Sequence, residues 1–257
     1  MTPNPMHFFS PTMRSSTLVA FGVLFLVLNL VSKTTLNIST PTFIQLTLAL
    51  LATFGRLFVA YGISLVVAFF LIFLIYASPK AEEFLLPLYD IIESVPTLAF
   101  FPVIILLFIR FGFFNGAAIA ILVLSMLWNI VFSLVGGLNT IPQDLKSAAR
   151  VFGIRGPMLF RDLYFPALVP QLITGSLLAW AQGWNIIIVA EVLHTYIPGG
   201  TGAQDLFGIG SMLVNASASG QDNIFLAAIM LMILAIAVMN FLVWQKLLQY
   251  AERFKFD

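Results

Sequence analysis

Between Ser16 and Leu248 the chain returns six times to an apolar run long enough to cross a bilayer. A spanning helix needs about 20 mostly apolar residues, because the hydrocarbon core offers the backbone no hydrogen-bond partners. The runs fall at about 16–32, 57–77, 94–111, 116–138, 167–192 and 223–248. The second belongs to a longer apolar stretch, 43–77, which Gly55 and Arg56 are expected to interrupt, leaving 41–55 as a helical lead-in at the interface. The expected fold is all-α and integral to the membrane, with about six transmembrane helices. Composition agrees: 60% of the 257 residues are hydrophobic and 9% are charged, where a soluble domain carries about 25% charged residues. Arg14 ahead of Leu18–Val31 has the look of a secretory signal, but Ser32-Lys33-Thr34-Thr35 offers no small-x-small cleavage site, so the run reads as a retained span.

Charge then orients the bundle. With the N-terminus inside and six spans, the cytoplasmic segments hold Arg14, Lys80, Lys146, Arg150, Arg155, Arg161, Lys246, Arg253 and Lys255, against Lys33, Arg56 and Arg110 outside. That bias of nine to three predicts both termini in the cytoplasm of a cell-membrane protein. A net charge of +1 gives no argument for nucleic acid. The absence of Cys excludes disulfides and thiolate chemistry, and His7 and His194 stand too far apart in sequence to suggest a metal site. Segment 78–97 interleaves Glu83, Asp90 and Glu93 with Phe84, Leu85, Leu88, Ile91 and Ile92, so it is expected to lie along the inner interface before Pro96 starts the third span. Segment 193–222 reads as one long outer loop rich in Gly, Ser and Asn.

The stretch 144–166 is a charged island between two apolar segments. A short loop would suffice there; the residues alone fit either an ordinary amphipathic interfacial loop, since basic inner loops are common, or a docking surface. Thr140-Ile141-Pro142-Gln143 predicts a capping box, with Thr at the cap and Gln three residues later. Ile141, Leu145, Ala148, Ala149 and Phe152 form an apolar stripe at helical spacing. Gly153 is placed to end that helix in a left-handed conformation. Gly156-Pro157 restarts the chain, a second short helix is expected over Met158–Tyr164, and Pro166 and Pro170 shape the start of span five.

This insert resembles the signature loop of binding-protein-dependent ABC transporter permeases: Glu-Ala-Ala, three residues, Gly, nine residues, Ile-x-Leu-Pro. Ala148, Ala149, Gly153 and Pro166 fall on that pattern, Leu163 and Phe165 are apolar replacements, and Ser147 stands where the family has Glu. The resemblance runs over about 57–250. Glu93-Ser-Val-Pro-Thr-Leu-Ala-Phe-Phe-Pro102, Trp180-Ala-Gln-Gly-Trp-Asn185 and Val189-Ala-Glu191 resemble the nitrate/sulfonate/taurine branch, and closer still its duplicated anion-permease variety. The resemblance implies a permease core of about five spans at 57–250 containing insert 140–166, flanked by 1–56 and a cytoplasmic tail at 251–257. It implies that the insert is a coupling helix seated in a cytoplasmic ATPase, with Asp144, Ser147, Ala148, Ala149, Arg150, Gly153, Pro157 and Pro166 at the dock. Implied partners are two ATP-binding subunits, a second permease unit (same or different chain) and an extracytoplasmic substrate-binding protein. The chain itself then binds no cofactor and catalyses no reaction; Mg-ATP belongs to the partner.

Polar groups inside spans usually face a cavity or a partner. Glu191 is the main candidate, either on the solute pathway or paired with a cation such as Arg110. Ser125 and Asn129 of span four could meet Gln182 and Asn185 of span five across the pore, or such polar pairs could simply glue helices together. Trp180 and Trp184 share a helix face and read as packing residues, as does Asn240. Gly199-Gly-Thr-Gly lacks the Lys-Ser/Thr of a phosphate loop, and Gly112–Gly116 reads as a turn. An intramembrane enzyme would need a catalytic constellation that the spans do not offer. An autonomous channel or structural subunit would need no docking insert.

Overall fold

The computed structural model describes residues 39–76, 79–154, 156–197 and 199–254, with the isolated positions 22, 25 and 29. Apart from those three positions, the expected first span at 16–32 lies outside the described residues, as do His7, Arg14, Lys33, Arg155 and Lys255. The described chain is helical: α1 Thr40–Tyr76, α2 Pro79–Ser94, α3 Phe101–Ile109, α4 Phe114–Thr140, α5 Gln143–Val151, α6 Phe165–Glu191, α7 Ile209–Ala218, α8 Asp222–Met239 and α9 Gln245–Ala251. Among the described residues, four helical stretches, Thr42–Ile75, Phe114–Thr140, Phe160–Glu191 and Asp222–Phe254, are long and apolar enough to cross a membrane. A fifth arises if the bent pair Lys80–Ser94 and Thr97–Phe108 counts as one span.

The interruption expected at Gly55 and Arg56 is absent, and α1 is continuous for 37 residues. The division drawn between 56 and 57 therefore falls inside one helix. A single Gly costs a helix only about 1 kcal/mol, and the α1 stripe outweighs it. Leu46, Leu50, Thr53, Leu57, Ala60, Ser64, Ala68, Ile72 and Ile75 recur every three or four residues and are buried. Leu51, Val66 and Phe73 on the other side are exposed, and in lipid such a face needs no protein cover.

The third span also differs from expectation. Its chain turns by 82° between α2 and the helical segment Thr97–Phe108, at the Val95–Pro96 step where Pro disfavours a helical predecessor. At about 1.5 Å per residue, Thr97–Ile109 is too short to cross the ~30 Å core alone.

Helices α4 and α6 form the axis of the bundle. Ile121, Leu122, Met126, Ile130 and Leu134 of α4 join Leu168, Ala179, Trp180 and Ile187 of α6 in one core. The two backbones approach closely because Gly175 lacks a side chain: a β-carbon there would lie 2.6 Å from Ser133 Cβ and 3.0 Å from the Asn129 carbonyl. Trp180 is buried among Phe58 (4.9 Å between ring centroids), Tyr61 (5.8 Å) and Trp244 (6.4 Å), the packing role its spacing suggested.

The second short helix expected in the insert is not separate. The turn Pro157–Leu159 runs through a π-helical turn, Phe160–Tyr164, directly into α6. The wider turn suits Pro166, whose ring would clash with the Asp162 carbonyl in a regular α-helix. A second π-turn, Asn240–Trp244, links α8 to α9. The expected outer loop 193–222 contains a short apolar helix, α7, which its Gly- and Ser-rich composition concealed.

Candidate functional site

Two regions carry the polar chemistry. The first is the insert. Helix α5 begins after Pro142, whose carbonyl accepts from the Lys146 N–H at 3.3 Å. The capping box does not form: Thr140 is the last residue of α4, and its hydroxyl donates to the Gly137 carbonyl at 2.8 Å. Helix α4 runs two residues past the expected end at 138, so it consumes the residue that would have capped α5. The far end of α5 matches expectation. Gly153 has φ +70°, and the Ile154 N–H donates to the Ala149 carbonyl at 2.9 Å, which closes a Schellman motif. Gly156, at φ +58°, makes the second turn ahead of Pro157.

The insert is anchored on one side only. Ile141, Tyr164 and Ala167 form a small buried cluster with Leu138, Leu159 and Leu163, and Ala149 is buried. Pro166 is half-buried, while Asp144, Ser147, Ala148 and Gly153 are exposed. Arg150 and Pro157 are placed by their backbone in the two helical pieces. The tip presents Val151 and Phe152, 84% and 80% exposed, and Met158, past the second turn, is 58% exposed. The capped end of α5 thus turns large apolar side chains to the outside. Of the apolar stripe at helical spacing, Ile141 and Ala149 are buried, while Leu145, Ala148 and Phe152 are exposed.

The second region is a node around Glu191, the last residue of α6. Its carboxylate is fully buried. Oε1 accepts from the Thr53 hydroxyl at 2.6 Å and from Arg56 Nη1 at 2.7 Å. Oε2 accepts from the Gly210 N–H at 2.8 Å. Arg56 also donates through Nε to Asn115 Oδ1 and through Nη2 to the Phe207 carbonyl, both at 2.9 Å. The cation that meets Glu191 is thus Arg56, not Arg110, which is exposed. Sequence reasoning missed this because it read Arg56 as a helix breaker. The overlooked signal was Thr53-x-x-Arg56, two polar residues one turn apart on an apolar helix. Removing one partner of such a buried pair costs about 3–5 kcal/mol, since the other is left charged and dry.

The remaining pathway candidates are spread out. Ser125 is buried and donates to the Leu122 carbonyl, and Asn129 Nδ2 donates to the Ser125 carbonyl. Neither side chain is hydrogen-bonded to Gln182, which is half-buried, or to Asn185, which is exposed. Asn129 instead lines a cleft of about 260 Å³ with Asp90, Glu93, Trp128, Phe132, Ser133 and Leu178. The expected interfacial carboxylates of α2 therefore face a span-four amide. Among the described residues no group of three or more His, Cys, Asp or Glu is arranged to hold a metal.

Known proteins resemble this chain over much of its length. Nitrate import permease protein NrtB of Leptolyngbya laminosa is 29% identical over 75% of this chain and 64% of its own length. Bicarbonate transport system permease protein CmpB of Synechocystis is 26% identical over 58% of this chain and 52% of its own. Glycine betaine/proline betaine transport system permease protein ProW of Escherichia coli is 25% identical over 60% of this chain and 42% of its own. The chain thus covers about two-fifths to two-thirds of these relatives. The pattern described as binding-protein-dependent transport system inner membrane component matches residues 60–245, most of the chain and the whole of the insert, and the chain belongs to that family.

Proposed function

We propose that this chain is the transmembrane permease subunit of an ATP-driven ABC importer. The observation that carries the reading is the insert: a capped helix, anchored on one face and presenting Val151 and Phe152 to the outside. Asp144, Ser147, Ala148, Arg150 and Gly153 flank that tip, with Ala149, Pro157 and Pro166 holding its shape. The insert docks on a cytoplasmic ATP-binding subunit, which holds Mg-ATP and does the hydrolysis. Two such subunits, a second permease unit and an extracytoplasmic binding protein complete the importer. Both termini lie in the cytoplasm, so the Glu191 node is on the outer side. Closure of the ATPase pair rocks the two permease units, and the continuous run from Pro157 to Glu191 carries that motion from the insert to the node. The core runs from α1 to 250, with the residues before α1 and 251–257 flanking it.

Ser125, Asn129, Gln182 and Asn185 are the pathway candidates. The solute is a small anion such as nitrate or a sulfonate, a reading supported by the nitrate and bicarbonate relatives. A second reading, a small onium zwitterion, is favoured by the cleft that sets Asp90 and Glu93 beside Trp128 and Phe132, because carboxylates and aromatic faces attract a cationic head. Uptake of labelled nitrate and of glycine betaine, each competed by the other, separates the two.

Purification of the tagged chain in mild detergent, followed by mass spectrometry, tests the assembly. A stoichiometric ATPase is expected, and the number of permease chains shows whether a partner supplies the Glu that Ser147 replaces. Recovery of this chain alone under several gentle conditions would return the reading to a channel or structural subunit.

A further inference from the structure

The Glu191 node has a geometry that an ordinary ion pair does not need. Helix α7 has no side-chain cap of its own, and the first N–H groups of a helix lack partners inside it. Two of them find partners on other helices: the Ile209 N–H donates to Thr53 Oγ1 at 3.0 Å, and the Gly210 N–H to Glu191 Oε2 at 2.8 Å. The chain wraps the carboxylate to achieve this. A β-carbon on Gly208 would lie 2.2 Å from Glu191 Oε1, and one on Gly210 would lie 2.7 Å from the Ile188 Cα. Arg56 closes the far side by holding the Phe207 carbonyl, and the Leu206 N–H donates to the Glu191 carbonyl. Beyond α7, Gly220–Ile224 shares a cleft with Ser39 and Thr42. Helix α7 therefore runs alongside the first half of α1, from Thr53 back to its start.

We infer that Thr53, Arg56 and Glu191 are positioning residues for transport: they form an external cap that fixes α7 to α1 and α6, so that these three elements move as one block. The inference rests on the importer reading. Glu191 touches no solute in this arrangement, since both its oxygens are engaged within the protein. It acts through α7, whose start it fixes by matching a negative group to the positive end of the helix. A buried, fully partnered pair is costly to open, so the block persists through the cycle, and alternating access opens elsewhere.

The polarity of the cap supplies the test. An ion pair tolerates inversion; a cap at a helix N-terminus does not. The complex with its ATPase and binding protein is reconstituted in vesicles, and solute uptake and ATP hydrolysis are measured together. Absence of ATP-driven uptake by the parent complex would overturn the importer reading, and the inference with it. Given an active parent, Thr53→Val keeps the Arg56–Glu191 pair but removes the hydroxyl that receives Ile209. Its uptake per ATP is expected to fall by about ten- to a hundred-fold, the scale of a lost hydrogen bond to a charged group, with ATPase recovery unchanged. Thr53→Ser is expected to restore it. The double inversion Arg56→Glu with Glu191→Arg is expected to stay inactive, because it turns a cation onto the N–H groups of α7. Parent-level uptake per ATP in Thr53→Val, or recovery in the double inversion, would overturn the inference.

Discussion

The Glu191 node and the 140–166 insert are both places where a helix end must be satisfied, and they solve the problem in opposite ways. At the node, polar groups from α1, α4 and α6 converge on the start of α7, and the carboxylate at the centre is wholly enclosed. At the insert, α5 is finished by its own backbone through Gly153, and its apolar tip is left uncovered. A site that needs nothing more from outside is a structural joint. The open apolar tip is, on the proposed reading, the surface that a partner covers. Equal polarity in the sequence thus conceals two different roles, and substitutions in the two regions should fail in different ways.

The largest effect is expected from Glu191→Ala, which leaves Arg56 without its carboxylate. A cost of about 3–5 kcal/mol is a large share of a stability of about 5–15 kcal/mol. Loss of folded protein, seen as a lower melting temperature in detergent or as failed membrane insertion, is the expected result. An unchanged melting temperature would place the node among exposed pairs. Next come Gly153→Asp and Ala149→Arg, both expected to abolish ATP-driven uptake while the protein still inserts. Ala149 is buried, so its replacement by Arg also disturbs the anchor. Ala148→Arg, on the exposed part of the same helix, is the cleaner variant, and normal uptake by it would remove the insert from the dock.

How much of this was readable in advance depended on range. The α5 C-cap was legible because Gly153 acts through its own φ and a hydrogen bond five residues back, all within one turn. The packing of Trp180 and the positions of α4, α6 and α8 were legible because hydropathy integrates over many residues. The Arg56–Glu191 pair spans 135 positions, and no local pattern announces a contact of that range. Arg56 looked like a break because a lone cation in an apolar run has no visible partner. In the fold its partner lets the helix continue. The same lesson applies at Thr140, where local rules offered two uses for one hydroxyl and the longer helix prevailed. Helix α7 was hidden for a related reason: its cap lies on other elements, so the segment lacked a start signal of its own.

A smaller and more selective effect is expected at Phe152, and it sharpens the contrast between joint and dock. The side chain is 80% exposed, so Phe152→Ala should change folding stability by no more than about 0.5 kcal/mol. As an aromatic anchor in a partner's groove it should cost about 2 kcal/mol or more in ATPase affinity, read by titrating the ATPase onto the permease in detergent. Arg110 is the control at the bottom of the scale. It is exposed and has lost its expected role at Glu191 to Arg56. Arg110→Ala should therefore leave melting temperature, ATPase affinity and uptake together at the parent level, within about 0.5 kcal/mol for stability. A loss of uptake in that variant with assembly intact would mean that a cation outside both regions serves the solute. The chemistry of the pathway would then have to be sought along the turn between α3 and α4, not in the cleft beside Asn129.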